Sequence, residues 1–263
     1  MELLGFFGAL LIGLILGLIG SGGSVLAVPI LTYLFLFDEK IATAYSLFIV
    51  GTTSLIGGVN YFFRKLVNWN QVILFGVPSI ISVVLVRYFI IPIIPDTIFT
   101  LGQLNISRRL FILGLFSILL IVSSYFMFKN QKEFIESNTA KNYFKIISEG
   151  FFVGGLTGLI GAGGGFLIIP SLVILGKIPM KEAVGTSLVI ISLKSLSGFF
   201  LGDTLLYNID WIFLFKFASI SIFGIFIGNY FSHYIDSKLL KKIFAIFILI
   251  IGVLIILYEF LNL

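Results

Sequence analysis

One short stretch of this sequence occurs twice, and it restricts the possible folds more than any other feature. GLIGSGGSVLAVPIL covers residues 17–31, and GLIGAGGGFLIIPSL covers residues 158–172. Each copy joins two apolar runs through a glycine-dense break, and each second run contains a proline. Because the copies begin at Gly17 and again at Gly158, in corresponding parts of the two halves, the sequence predicts a chain built from two repeats.

The residues on both sides of each glycine break are strongly apolar. Hydrophobic residues make up 59% of the chain, charged residues make up 11%, and the mean hydropathy is +1.17. An ordinary soluble domain carries about 25% charged residues. Runs of ~20 apolar residues, enough to cross ~30 Å of hydrocarbon, fill nearly the whole sequence. The chain is therefore predicted to lie in a membrane, with no room for a soluble catalytic domain.

Ten apolar segments follow from this pattern, five in each repeat. They cover residues 3–19, 24–37, 42–63, 71–91, 110–128, 144–160, 166–175, 183–201, 211–231 and 239–261. At a rise of about 1.5 Å per residue, the second segment of each repeat is too short to cross the bilayer. The predicted fold class is an all-α polytopic membrane protein with eight full spans and two short or re-entrant helices. Its predicted units are a first repeat (residues 1–128), a hydrophilic linker (129–142) and a second repeat (143–263).

The lysines and arginines of the loops predict how the repeats are oriented. If the first two segments form one broken span, these cations divide six against eight, which is no bias. If the chain doubles back at the glycine break, three cations face eleven. Because Lys and Arg in short loops stay cytoplasmic, the second arrangement is favoured. It predicts inverted repeats, both termini outside and a cytoplasmic linker, and it explains the net charge of +5 without nucleic-acid binding.

The glycine breaks are the predicted substrate site. A backbone that leaves the helix inside lipid is tolerated only where it is buried in protein or lines a watery cavity. The helix that follows each break presents free N–H groups and the positive end of its dipole, which suits an anion. The alternative is that the glycines only let helices pack closely. The predicted substrate-binding residues of the breaks are Gly20, Ser21, Gly22, Gly23, Ser24, Gly161, Ala162, Gly163, Gly164 and Gly165.

Polar residues inside the third segment of each repeat extend this predicted site. A charged lysine in the middle of a span costs at least ~2.5 kcal/mol, so Lys194 is expected to face the bundle interior and a partner. That partner is an anionic substrate, or Glu149 in a structural pair; the third alternative is that Lys194 lies nearer the interface. Glu149 is also a candidate for proton coupling, or for a salt bridge with Lys145 one turn away. The remaining predicted substrate-binding residues are Thr53, Ser54, Ser187 and Ser195.

Other polar and aromatic residues have simpler expected roles. Arg87 and Lys216 lie near span ends and are expected to extend toward the interface. Trp69 and Trp211, each just before a span, are expected interfacial anchors. With one histidine, His233 beside a loop, and no cysteine, neither a transition-metal site nor another cofactor is expected.

Three shared features make the sequence resemble the TauE/SafE sulfite exporter family. These are the paired GxGG-then-proline units, the segments from Ala42 to Leu47 and from Ala183 to Leu188, and the tryptophan that opens the following span. The resemblance covers essentially the whole chain. It implies an integral membrane carrier for sulfite, sulfonates or related organic anions, working in either direction. The first repeat departs from the pattern at Ser21, Ser24 and Tyr45.

The predicted function is therefore a secondary transporter of small anions in the cell membrane, working by alternating access around the paired breaks. The alternatives are a passive anion channel and a non-transporting membrane assembly subunit. An enzyme is not expected, because the sequence has no His-Glu metal motif, no paired intramembrane aspartates and no serine-histidine arrangement. The expected partners are a small anionic substrate, membrane lipid and a coupling ion, H⁺ or Na⁺.

Overall fold

A computed structural model describes residues 2–20, 22–101, 104–129, 143–232 and 234–261. The predicted site residue Ser21, the predicted interface residue His233 and linker residues 130–142 lie outside the described residues.

Ten helices and one two-stranded hairpin make up the described chain. Their bounds are α1 Glu2–Ile19, α2 Gly23–Leu34, α3 Glu39–Phe63, α4 Trp69–Ile93, β1 Thr97–Leu101, β2 Leu104–Ser107, α5 Arg108–Lys129, α6 Tyr143–Ile160, α7 Gly165–Ile174, α8 Met180–Leu206, α9 Trp211–Ser232 and α10 Ser237–Leu261. The helices follow the predicted apolar segments in order, which confirms the all-α membrane fold. The small hairpin, absent from the prediction, lies in a loop that has no counterpart in the second repeat.

Helix lengths divide the described helices into long and short ones. Seven are long and apolar enough to cross a membrane. α1 has 18 residues, the same length as its counterpart α6. By contrast, α7 has 10 residues, and α2 has seven α-helical residues followed by a five-residue π-helical turn. The short second helix of each repeat agrees with the prediction, and seven of the eight predicted full spans are long and apolar enough to cross; the eighth, α1, is grouped with the shorter apolar helices.

Contacts between helices repeat with the two halves exchanged. The first helix of each repeat packs along the fourth helix of the other, so that α1 lies against α9 and α6 lies against α4. The third helices α3 and α8 pack on each other, as do the fifth helices α5 and α10 and the second helices α2 and α7. This reciprocal pairing is what a pseudo-two-fold axis between the repeats produces.

The equivalent helices α3 and α8 run in opposite directions. A Cβ atom added at Gly51 would contact Leu196, and one added at Gly58, two turns later, would contact Val189. The fifth helices α5 and α10 are antiparallel in the same way. Equivalent spans would be parallel if the axis ran along the membrane normal. Their antiparallel packing therefore places the axis in the membrane plane, and the repeats are inverted.

Each first helix and its short successor double back on each other. A Cβ atom on Gly8 would lie 2.8 Å from Ile30, and the rings of Phe6 and Phe35 are 5.7 Å apart. The chain thus returns to the face where α1 begins, as the distribution of loop cations predicted. We call this the β-hairpin face, because β1 and β2 lie on it. The opposite face, where α5 ends and α6 begins, is the linker face.

Charged residues hold the β hairpin against the helix ends. Arg108 donates to Glu39 at 2.7 Å through Nε and to Asp96 at 2.6 Å through Nη1. Lys40 also lies 4.0 Å from Asp96. The cations Lys40 and Arg108 on this face thus lie close to carboxylates.

Glycines allow the paired first and fourth helices to approach backbone to backbone. A Cβ atom on Gly13 of α1 would overlap the carbonyl oxygen of Ser221 on α9. In the other repeat, a Cβ atom on Gly154 of α6 would lie 2.5 Å from the carbonyl oxygen of Ser79 on α4. Small residues at such contacts give close packing, which replaces the missing hydrophobic drive within lipid.

Replacing Gly13 by leucine should destabilise the fold strongly. The added side chain would meet backbone, which cannot rotate away, so we expect a loss of ~3 kcal/mol, the upper end of the usual range for overpacking. Thermal unfolding in detergent, followed by size-exclusion chromatography, measures the effect. Gly114→Leu is the matched control, since an added Cβ there has no atom within 4 Å. Equal melting temperatures for the two variants would contradict the packing described for α1 and α9.

Candidate functional site

The two glycine breaks meet in the middle of the molecule. A Cβ atom added at Gly163 would lie 2.6 Å from Val50, 3.2 Å from Ser24 and 3.5 Å from Ile191. Val50 and Ile191 lie near the midpoints of α3 and α8, and Ser24 lies in the first turn of α2. The structure therefore brings the second break against the start of the helix that follows the first, as the sequence predicted.

Each break is also closed by the third helix of the other repeat. A Cβ atom on Gly20 would lie 2.5 Å from Val184 of α8, and one on Gly161 would overlap Thr43 of α3. These two contacts are equivalent in the repeat, because each member of one contact aligns with a member of the other. The φ angles of Gly20 and Gly161 are +82° and +72°, a left-handed conformation that strongly favours glycine.

Both helices that follow the breaks begin inside the protein without a side-chain cap. Gly22 precedes α2 and Gly164 precedes α7, and neither start has a side-chain hydrogen bond to its first N–H groups. The described break residues are buried, including Gly23, Ala162 and Gly165. Because the first N–H groups of a helix point out of its N-terminus, both starts present the positive end of the helix dipole.

Lys194, on α8, is fully buried and lies beside the start of α7. Its Nζ donates to Thr157 Oγ1 at 2.5 Å and lies 2.8 Å from where a Cβ atom on Gly164 would be. Within the described chain, no carboxylate lies at ion-pair distance from this ammonium. Because Lys194 is fully buried near the middle of α8, the alternative of a position near the membrane interface is wrong.

Glu149 does not pair with Lys194, so the predicted structural pair is wrong. Its Oε1 accepts a hydrogen bond of 2.7 Å from the Ser171 hydroxyl on α7, on the side of the linker face. The second oxygen, Oε2, is buried without a hydrogen-bond partner among the described residues. The carboxylate and the ammonium thus occupy separate positions along the α6–α7 pair.

The hydroxyls of the predicted site fall into two groups. Thr53 donates to the carbonyl oxygen of Ile49 at 2.6 Å, and Ser187 donates to that of Val184 at 2.8 Å. The hydroxyls of two further serines are fully buried and have no hydrogen-bond partner in the described chain; these are Ser54 and Ser195. The two are equivalent positions in the repeat. An unpaired buried hydroxyl costs ~1–3 kcal/mol, so both are candidates to bind a ligand.

Ser46 is a further candidate that the sequence reasoning missed. Its hydroxyl is fully buried and has no described partner. It lies one turn from Thr43 and from Val50, the two α3 residues that contact the second break. The signal that could have identified it is its equivalence to Ser187, which the same reasoning selected.

The expectation for Arg87 is wrong. Instead of extending toward the interface, Arg87 is fully buried and forms an ion pair with Asp203 of α8, which is also fully buried. Asp203 Oδ2 lies 2.9 Å from Nη2 and 3.0 Å from Nε, and Nη1 donates to Thr43 Oγ1 at 3.1 Å. Asp203 lies inside the long α8, not in a loop. Breaking such a buried pair by removing one member typically costs ~3–5 kcal/mol.

The remaining expectations concern the helix ends. Lys216 is exposed, and the side chains of Trp69 and Trp211 are 50% and 40% exposed. These exposures are compatible with the interfacial positions predicted for the three residues.

Inverted helix repeats that surround two uncapped helix starts and a buried lysine form the architecture of a membrane transporter. Residues 5–255 match the family described as sulfite exporter TauE/SafE. The chain therefore belongs to this family of membrane transporters and is not an enzyme.

Similar proteins carry the same general description. A probable membrane transporter protein of Methanocaldococcus jannaschii is 31% identical over 198 residues, covering 72% of this chain and 69% of the relative. The probable membrane transporter protein YunE of Bacillus subtilis is 26% identical, covering 92% and 93%. A third, from Xylella fastidiosa strain Temecula1, is 24% identical, covering 92% and 90%. No solved structure matches the chain. The chain is a multi-pass integral membrane protein.

Gly164 supports a prediction about the shape of the second break. Its φ angle is +73°, and an added Cβ atom would overlap the methyl group of Thr157. We expect Gly164→Ala to lower the unfolding free energy by ~1–2 kcal/mol for the left-handed backbone, with a further loss from the overlap. Thermal unfolding of purified protein measures both parts. Thr157→Ser in the same chain removes the methyl group but keeps the Thr157 Cβ 2.6 Å from the added atom, so it should restore only part of the overlap loss; full restoration would contradict the left-handed conformation.

Proposed function

We propose that this protein is a secondary carrier for a small anion, held between the two breaks and moved by alternating access of the inverted repeats. The observation that carries this proposal is the fully buried Lys194 ammonium, whose only described hydrogen-bond partner is the neutral Thr157 hydroxyl. A buried cation without a counter-charge is strongly disfavoured in a membrane. A bound anion supplies that counter-charge.

The surroundings of Lys194 supply the other contacts that an anion needs. The first turn of α7 offers backbone N–H donors, and its dipole adds positive potential at the same point. The unpaired hydroxyls of Ser54 and Ser195 lie on the two helices, α3 and α8, that cross at the breaks. A small oxyanion has several acceptor oxygens and could bind one ammonium, two hydroxyls and backbone amides together.

The substrate class that we propose is sulfite, an organosulfonate, or a related sulfur-containing or organic anion. The family description, sulfite exporter, supports a sulfur oxyanion. The close packing of the surrounding residues also supports a small ligand, because Val50, Ile191 and Ser24 approach the second break closely. A compact anion with a forked oxygen arrangement satisfies both considerations.

Alternating access follows from the inverted symmetry. A substrate near the axis is reached from one face when one repeat rocks against the other, and from the opposite face when the roles exchange. The coupling ion is H⁺ or Na⁺ in this proposal. Glu149 is the candidate for proton coupling, since its carboxylate is half-buried in α6 and bonded to a single described hydroxyl, that of Ser171.

We also propose that the linker face is cytoplasmic and that both termini lie outside. By the loop count, three cations belong to the β-hairpin face and eleven to the linker face. On the β-hairpin face, Arg108 and Arg109 are engaged by Glu39 and Glu259. The positive-inside rule assigns the linker face, with its excess of Lys and Arg, to the cytoplasm.

Lys194→Met should remove most transport while leaving the fold intact, since methionine fills similar volume without a charge. We expect a loss of roughly 10- to 100-fold in flux at low substrate, because a hydrogen bond to a charged group contributes about 1.5–3 kcal/mol. The measurement is uptake into proteoliposomes of sulfite, sulfate, thiosulfate, acetate and sulfonates, with and without a pH gradient. Lys216→Met, on the exposed surface of α9, is the matched control.

Three results would contradict the carrier proposal. Unchanged uptake of every transported anion by Lys194→Met would remove Lys194 from the site. Single-channel conductance, or flux that does not saturate with substrate, would identify a passive channel. Absence of flux from the purified wild type, together with one constant membrane partner in pull-downs, would identify an assembly subunit.

The orientation can be tested cleanly because the chain has no cysteine. Thr97→Cys lies on the β-hairpin face, and Asn70→Cys lies on the linker face; both positions are exposed. We expect a membrane-impermeant maleimide to label Thr97→Cys in intact cells and Asn70→Cys only after permeabilisation. The reverse pattern would place the termini in the cytoplasm.

A further inference from the structure

The buried ion pair of Arg87 and Asp203 is arranged asymmetrically. Both Nε and Nη2 of the guanidinium contact the same oxygen, Asp203 Oδ2. The other oxygen, Oδ1, is buried and has no hydrogen-bond partner among the described residues. A carboxylate and a guanidinium can form two parallel hydrogen bonds, one to each carboxylate oxygen. Here both contacts go to Oδ2, so Oδ1 of this buried pair stays unsatisfied.

The pair lies beside the second glycine break. Arg87 Nη1 donates to Thr43 Oγ1 at 3.1 Å, and Thr43 contacts Gly161 of the break. Gly202 leaves room for the arginine, since an added Cβ atom would lie 2.7 Å from Arg87 Cβ. The guanidinium is therefore connected through one side chain to the break, on the side of the β-hairpin face.

The other repeat shows that this fold does not need an ion pair here. The residues equivalent to Arg87, Asp203 and Thr43 are Asn229, Phe62 and Val184. Val184 nevertheless packs on Gly20 as Thr43 packs on Gly161. Since the uncharged version forms the equivalent contact, the charges are not required for packing the third helix on the break.

We propose that Arg87 is a second contact for the transported anion, at the end of the path nearest the β-hairpin face, and that Asp203 is the counter-ion which the anion displaces. This inference rests on the proposed carrier function. A guanidinium fork matches two oxygens of a carboxylate, sulfite or sulfonate group, so the ligand class is a small forked oxyanion. Displacement keeps the charge of Arg87 compensated, and the displaced Asp203 carboxylate is hydrated by the water that enters with the anion or takes up a proton from it.

The two neutralising variants should change the apparent affinity in opposite directions. Asp203→Asn leaves Arg87 without its counter-ion, so the anion should bind more tightly from the β-hairpin face, with KM lowered about tenfold. Arg87→Gln should raise KM on the same face by about tenfold. KM on the linker face should change much less. Sided uptake in proteoliposomes of one orientation, with sulfite and acetate as probes, measures these values.

The double variant Arg87→Gln with Asp203→Asn separates this inference from a structural role. It removes both charges together, so it is expected to fold, yet KM on the β-hairpin face should stay as high as in Arg87→Gln alone. A double variant with the wild-type KM on both faces would show a purely structural pair and overturn the inference. Arg87→Lys adds an independent check, because it keeps the charge but loses the fork, and should raise KM for sulfite and acetate on the β-hairpin face but not on the linker face.

The ion pair of Arg108 and Glu39 is the matched control, since it lies on the same face and both side chains are largely buried, 6% and 10% exposed. Its double neutral variant should alter thermal stability and leave KM unchanged on both faces. If the wild type carries no small anion at all, the carrier proposal and this inference both fail. If the wild type carries anions and Arg87→Lys leaves KM unchanged on the β-hairpin face, only this inference fails.

Discussion

A backbone that leaves the helix inside hydrocarbon has no water to bind its N–H and C=O groups, and this constraint shapes the whole molecule. Both glycine breaks must be covered by protein. Each is covered by the third helix of the other repeat, through Gly20 on Val184 and Gly161 on Thr43. The glycine-lined contacts of α1 with α9 and of α6 with α4 hold the breaks in place. The two repeats therefore cannot form their interiors separately.

Covering the breaks excludes lipid but does not cap the helices that follow them. The starts of α2 and α7 have no side-chain cap, and Lys194 adds a full charge beside the second. The symmetry of the backbone is not matched by the side chains, since Thr53 is the counterpart of Lys194 and Asn229 that of Arg87. The two halves thus share one backbone plan, while buried charge is confined to particular positions in it.

The helices could be predicted well from the sequence because their signal is local. Length and hydropathy identify each span without knowledge of its neighbours, and matching motifs align the two halves once a single inserted residue before Trp211 is allowed for. The break residues and the burial of Lys194 also followed from local rules, since polar groups in a span must face protein. Arg87 was misjudged for a physical reason: position near a span end does not reveal whether another helix supplies a carboxylate. Asp203 supplies it from 116 positions away.

Patterns along the chain were enough to establish a helical membrane protein of two repeats with a short, glycine-led helix in each, because hydrophobic length and glycine conformation act within a few residues. Which charges are compensated was settled by the packing of the helices alone. Lys194 remains without a carboxylate, Glu149 binds Ser171, and Arg87 binds Asp203. These outcomes depend on which helices cross in space, and ion pairing depends on distances of a few ångströms that no linear pattern contains.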